Sequence, residues 1–203
     1  MNWDELYQKN PKAFGEEANS FLSDSLSSLM AKEMDKPGEA IVLACGQGRN
    51  AFYLEEQGFR VTAMDRSKVG IEQARLESAE KEVKISWVET DLLKEPNLPL
   101  NDFTLWCWLH MPVGARKEMY QKVKTALRPG GLLLLEGFRE ENQNYKIFGP
   151  PTSKLLFSLT ELLEEFADYE IIEAREMDRP IAEGNQHQGM AAVVQFIVKK
   201  PGV

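Results

Sequence analysis

The stretch Ala44-Cys45-Gly46-Gln47-Gly48-Arg49-Asn50 lies between a short apolar run and a helical pattern. Two glycines there let the backbone turn sharply and approach a ligand with no Cβ in the way. The N–H groups at the start of the following helix face that ligand. Alone this is a weak signal, because any tight strand–helix turn uses glycine. Two carboxylates strengthen it. Asp65, 19 residues after Gly46, closes a second apolar run, and an acid in that place accepts hydrogen bonds from both hydroxyls of a ribose. Asp91 closes a third and can accept from an adenine amino group. Singly, the first could be an acid beside a helix dipole and the second a solvated turn residue. Together the three describe a nucleoside. His110 precedes a Met-Pro pair, where it is either a proton acceptor or a loop residue bonded to a carbonyl. Arg139, like Arg179, can hold an anionic substrate or lie exposed without a specific task. His187 lies in the last hairpin.

These residues need elements to position them. Residues 1–35 read as helical, with Leu22, Leu26, Leu29 and Met30 on one face, and Pro37-Gly38 breaks the chain. Strand–helix alternation follows. Strands are expected at 40–44, 59–64, 83–88, 103–108 and 132–138, and helices at 49–57, from Ser67 to about Lys81, and at 115–127. Ser67 caps its helix, and Gly58 ends the one before it. Pro96 and Pro99 mark a loop, and Pro129-Gly130-Gly131 a stop and a turn. A connection over 139–168 contains one helix near 159–166, and strands at about 169–176 and 191–199 close the chain. The alternation predicts an α/β, doubly wound sheet, mostly parallel, with helices on both faces and an antiparallel last pair. Its ligand belongs outside the carboxyl ends of the strands.

The 203 residues suit one domain. Net charge is −8, with 24 basic and 32 acidic side chains. That argues against nucleic-acid and anionic membrane partners. No apolar run approaches the roughly 20 residues of a membrane helix, and no secretory signal is visible. Two cysteines in apolar surroundings, Cys45 and Cys107, fit a cytoplasmic, reduced protein. No His or Cys spacing suggests a metal. A small-molecule partner is expected, with the chain a monomer or homodimer.

Two nucleoside cofactors compete. Gly46-x-Gly48-x-x-Ala51 satisfies the relaxed dinucleotide fingerprint, which leaves an NAD-dependent oxidoreductase as the rival reading. S-adenosylmethionine explains more, because it needs no pyrophosphate site and no substrate domain. A protein that binds this cofactor without turnover is the third reading. The sequence resembles the class I S-adenosylmethionine-dependent methyltransferases, and within them the tellurite-resistance and thiopurine-methyltransferase-like group. The stretches that carry this are FGEEANSFL (14–22), CGQGRNAFYLEEQGFRVTAMDRS (45–67), LHMP (109–112), LRPGGLLLLEGF (127–138) and EGNQHQGMAAVVQFIVKK (183–200). Val42 stands where many relatives have an acid, and Ala44 where they have glycine.

The resemblance implies strand order 3-2-1-4-5-7-6 with strand 7 antiparallel, and S-adenosyl-L-methionine as cofactor. It places Gly46 and Gly48 against the methionine portion, with Ala44, Cys45, Arg49 and Asn50 in the same loop. It gives Asp65 the ribose, Arg66 and Ser67 the adjoining edge, and Asp91 and Leu92 the adenine. Cys107, Trp108 and Leu109 border the methionine and methyl group. His110 and Arg139 are the catalytic candidates, His110 as base for an alcohol or ammonium acceptor. A thiolate, selenol or metalloid oxyanion needs no base. The N-terminal 35 residues are expected to form a lid, with aromatics Trp3, Tyr7, Phe14 and Phe21, and 139–168 an insertion on the acceptor side.

Overall fold

The computed structural model describes residues 2–94, 97–145 and 148–202. Pro96 and two residues of the expected insertion, 146–147, lie outside the described residues. Two helices open the chain, α1 (Trp3–Lys9) and α2 (Ser20–Glu33). The elements β1 (Glu39–Leu43), α3 (Arg49–Glu56), β2 (Arg60–Asp65), α4 (Lys68–Glu80) and β3 (Ser86–Glu89) follow. After a loop come β4 (Asn101–Cys107), α5 (Val113–Ala126), β5 (Leu127–Phe138), α6 (Leu159–Glu165), β6 (Glu170–Glu183) and β7 (His187–Lys199). Two short 3₁₀ turns, Glu140–Asn144 and Ser153–Leu155, lie between β5 and α6.

The strands form one sheet in the order β3-β2-β1-β4-β5-β7-β6. Strands β1 to β5 are parallel, and β7 runs antiparallel to both β5 and β6. The expected order and the antiparallel seventh strand are both borne out. Alternate side chains feed two cores, as the period of a strand requires. Val42, Phe103, Leu105, Leu132 and Leu134 pack with α2, α3 and α4. Ile41, Leu43, Trp106, Leu133 and Leu135 pack with Met119, Tyr120 and Val123 of α5 and Leu162 of α6. Leu22, Leu26 and Leu29 of α2 are buried as their spacing predicts.

Three stretches differ from the sequence reading. The N-terminal 35 residues are two helices, because residues 10–19 carry Pro11 and a Gly15 with φ +81°. β5 starts at Leu127, ahead of Pro129-Gly130-Gly131, so the expected turn lies inside the strand, with Gly130 at φ +78°, Gly130 N donating to Lys200 O and Lys200 N to Gly131 O. Residues 177–190, read as a loop, belong to β6, β7 and a tight turn over 184–186. That hairpin tip reaches past the carboxyl end of β5 and rests on the N-terminal segment. Asn185 N and Gln186 N both donate to Ala13 O.

Candidate active site

The carboxyl ends of β1, β2, β4 and β5 lie side by side in the sheet, and the sequence-predicted residues gather there. The turn after β1 needs the left-handed region: φ is +53° at Ala44, +56° at Gly46 and +93° at Gly48. Ala44 therefore holds a conformation that glycine takes without strain. Asp65, at the end of β2, clasps this turn. Its Oδ2 accepts from Gly46 N at 2.7 Å and its Oδ1 from Ser67 N at 2.8 Å. Burial pushes its pKa up, opposed by those two N–H bonds. A carboxylate oxygen has more than one acceptor site, so each keeps capacity for a ligand hydroxyl. Ser67 caps α4 by accepting from Gly70 N and donates to Asp4.

The segment before α2 covers this turn. The Tyr7 ring sits on Gly46, where a Cβ would meet its hydroxyl at 2.7 Å. Burial and the nearby Asp65 charge push the Tyr7 phenol well up, so it stays protonated. Gln47 accepts from Ala13 N and donates to Gln73. A cleft of about 320 Å³ opens between the start of α1 and the residues just past β2, lined by Asn2, Trp3, Asp4, Arg66 and Ser67. Gly48 packs the other way: a Cβ would strike Trp87 at 2.5 Å. Its need for glycine is met by protein packing. Asp91 closes an Asx turn by accepting from Leu93 N, with Lys94 at 3.8 Å. Leu92 is buried in the α5-side core, and Leu109 packs against it. Cys45 and Cys107 are buried thiols pushed well up by burial.

Arg49 and Asn50 hold protein partners. Arg49 donates to Glu183 at 2.8 Å and to Glu17 O, and Asn50 Oδ1 accepts from Asn19 N. Asn19 caps α2 and donates from one amide to both Glu136 (2.6 Å) and Glu183 (3.1 Å). Glu136, fully buried on β5, also accepts two bonds from Arg179 and one from Gln195. Burial would raise the Glu183 carboxyl, but the His187 bond and the Arg49 charge hold it down to about 2. Asn19, Glu136 and Glu183 were not among the sequence candidates. All three lie inside the stretches that carry the family resemblance, Asn19 in 14–22, Glu136 in 127–138 and Glu183 in 183–200, and that membership was their only signal.

The two catalytic candidates are committed too. His110 Nδ1 lies 3.1 Å from Leu155 O, and Nε2 is 3.4 Å from Phe138 N. Burial lowers its pKa to about 3. Both nitrogens serve backbone groups, which is the loop-fixing alternative for this residue. Arg139 pairs with Glu141 and Asp178. Trp108, just past β4, has φ +58° and a buried Nε1 with no hydrogen-bond partner among the described residues. Its ring stacks on Phe138 at 4.5 Å and meets His187 edge-on at 5.5 Å.

A family model described as a methyltransferase domain matches residues 41–131, from β1 through the turn that enters β5. Over those 91 of its 203 residues the chain is similar to such a domain. It is 26% identical over 107 residues to the ubiquinone biosynthesis O-methyltransferase of Rickettsia typhi, covering 53% of this chain and 43% of that protein. The chain spans about half the length of the curated relatives it matches. Its fold matches TehB from Haemophilus influenzae with a TM-score of 0.74 at 18% identity, over 98% of this chain and 67% of that one. It also matches the N-methyltransferase NodS from Bradyrhizobium japonicum in complex with S-adenosyl-L-homocysteine, with a TM-score of 0.70 at 14% identity, over 99% and 100% of the two chains. The cofactor of such a domain is S-adenosylmethionine, and the residues at β1 and β2 fit it. Asp65 offers a ribose acceptor, and the left-handed turn offers backbone beside it. No helix among the described residues is long and apolar enough to cross a membrane.

Proposed function

We propose that the protein is an S-adenosylmethionine-dependent methyltransferase acting on a small molecule, with thiols and selenium or tellurium oxyanions among the acceptor classes to be tested. The observation that carries this reading is the clasp between Asp65 and the Gly46 turn. It joins a ribose acceptor to a backbone surface at the carboxyl ends of neighbouring strands, where ligands of open α/β sheets bind. The likeness to TehB supports a place in the tellurite-resistance-like group. The bound cofactor supplies a methyl group on a cationic sulfur. Asp65 orients the ribose, Arg66 borders the adenosine cleft, and Asp91 lies at the adenine end. Trp108 and Leu109 border the reacting centre after β4, and Tyr7 with the α1 segment keeps water from the turn. Most of the rate then comes from alignment and water exclusion. Among the named acceptor classes, the proton-bearing ones alone call for a base.

Thermal unfolding tests this. S-adenosylhomocysteine at about 100 times its Kd is expected to stabilise the fold by about 2.7 kcal/mol, and NAD to leave the midpoint unchanged. Stabilisation by NAD alone would favour the oxidoreductase. Absence of any shift with either S-adenosylhomocysteine or S-adenosylmethionine would sink the methyltransferase reading.

A further inference from the structure

Five rings meet beneath the hairpin tip. Phe14 comes from the N-terminal segment, Trp108 from the end of β4, and Phe138 from the end of β5. Phe148 comes from the loop after β5, and His187 from the start of β7. His187 is the hub, with ring centroids at 4.7 Å to Phe14, 5.1 Å to Phe148, 5.5 Å to Trp108 and 5.6 Å to Phe138. Two polar groups in this apolar cluster have capacity left. The Trp108 Nε1–H is buried without an acceptor, which a native interior rarely tolerates outside a functional site. The His187 Nδ1 faces Glu183 at 3.4 Å, and its Nε2 has no bond partner among the described residues. The Trp108 backbone is held at φ +58°, a strain that clusters where function needs it.

The charges beside the cluster decide what it accepts. Arg49 is paired to Glu183, and Arg179 is paired to the buried Glu136. Arg139 is paired to Glu141 and Asp178. Each guanidinium beside the rings is charge-paired with a carboxylate, and although Arg139 Nε keeps a buried N–H without a partner among the described residues, no unneutralised positive charge is left for an oxyanion. An anion among these rings would be desolvated without compensation. A neutral planar body loses nothing by entering them.

We infer that this cluster is the acceptor site, that it takes a neutral aromatic molecule bearing an O–H, N–H or S–H nucleophile, and that His187 accepts the proton. The inference rests on the methyl-transfer reading above. As the lone pair of the acceptor atom bonds to the methyl carbon, the carbon–sulfur bond breaks and its electron pair stays on sulfur. The proton of the acceptor atom passes to His187 Nε2. The imidazolium donates from Nδ1 to Glu183 and afterwards releases the proton to solvent. Trp108 Nε1 donates to the acceptor molecule. A carboxylate behind an imidazole orients the ring and stabilises its cation, an arrangement that serves proton abstraction in other folds.

Two measurements test this. The first is equilibrium binding of 2-naphthol and 8-hydroxyquinoline to the protein alone, by calorimetry. Saturable binding is expected, about tenfold weaker in Trp108→Phe, whereas tellurite and selenite do not bind. The second follows S-adenosylhomocysteine release from these probes. His187→Gln is expected to lose about 100-fold or more in kcat, with KM within threefold, with S-adenosylhomocysteine affinity within twofold, and with loss of the acidic limb of the pH–rate profile. Three results would overturn the inference: no saturable binding of either probe, preferred turnover of the oxyanions, or an unchanged pH profile in His187→Gln. If the wild-type protein binds no S-adenosylhomocysteine, the methyl-transfer reading itself falls, which is a separate result.

Discussion

Asp65 answers two backbone N–H groups with its two oxygens, one at Gly46 and one at Ser67. An amide has only one acceptor oxygen, so Asp65→Asn turns an NH₂ towards one of the donors. The expected cost is about 1–3 kcal/mol of stability, read by urea unfolding. A loss of S-adenosylhomocysteine affinity of tenfold or more should accompany it. His110 makes a different prediction. Its folded pKa is about 3 against an ordinary 6.5, so the unfolded chain takes up the proton first as pH falls. Stability is complete above about pH 6.5 and declines through the interval down to about 3. Glu183, held at about 2 against 4.5, adds a loss in the same direction below pH 4.5. The unfolding midpoint is expected to fall steadily from pH 7 to pH 4.5, and His110→Asn to flatten that slope above pH 5. A slope unchanged in the variant would assign it elsewhere. At this scale, Asp65 was legible because its chemistry needs only a strand end and a distance from the glycines. Arg49 and Asn50 were legible as a motif but not by role. Their partners, Glu183 and Asn19, lie 134 and 31 positions away in the chain, and a local pattern carries no sign of such pairs.

Among the elements, the β6–β7 hairpin changes the site most. Its tip meets the N-terminal segment at Gly184, where φ is +58° and a Cβ would lie 2.3 Å from Ala13 O. Gly184→Val is therefore expected to undock the tip. Limited proteolysis should then cut within 177–190, and hydrogen exchange at Asn185 and Gln186 should quicken, while the parallel strands stay protected. Unchanged protection at those two amides would show that the tip does not depend on this contact. The sequence hid this hairpin for a physical reason. Pro180, Gly184 and Gly189 punctuate it as a loop would, yet Pro180 lies on the edge strand β6, where proline is tolerated. The α/β alternation before it was readable because each strand there is a short apolar run between turn signals. The break between α1 and α2 was missed because α2 alone has a clear apolar stripe.

The whole molecule is tied together at Glu136. This fully buried carboxylate receives Arg179 of β6, Gln195 of β7 and Asn19 at the start of α2, and Asn19 passes the link to Glu183. Glu136→Gln leaves the Arg179 cation uncompensated in the interior. The expected loss is about 3–5 kcal/mol, measured by chemical unfolding, and a change under 1 kcal/mol would show that water replaces the carboxylate. The global order of the sheet was legible because crossover rules leave few ways to wind five parallel strands. The network was not, because it depends on four segments meeting at once. One consequence of the sheet order concerns synthesis. β7 is the last strand made, yet it lies inside the sheet, between β5 and β6. While residues 139–186 leave the ribosome, the leucine run 132–135 presents an open strand edge to the cell. Until β7 is made the sheet thus keeps an open, adhesive edge, and that strand is the one that seals it.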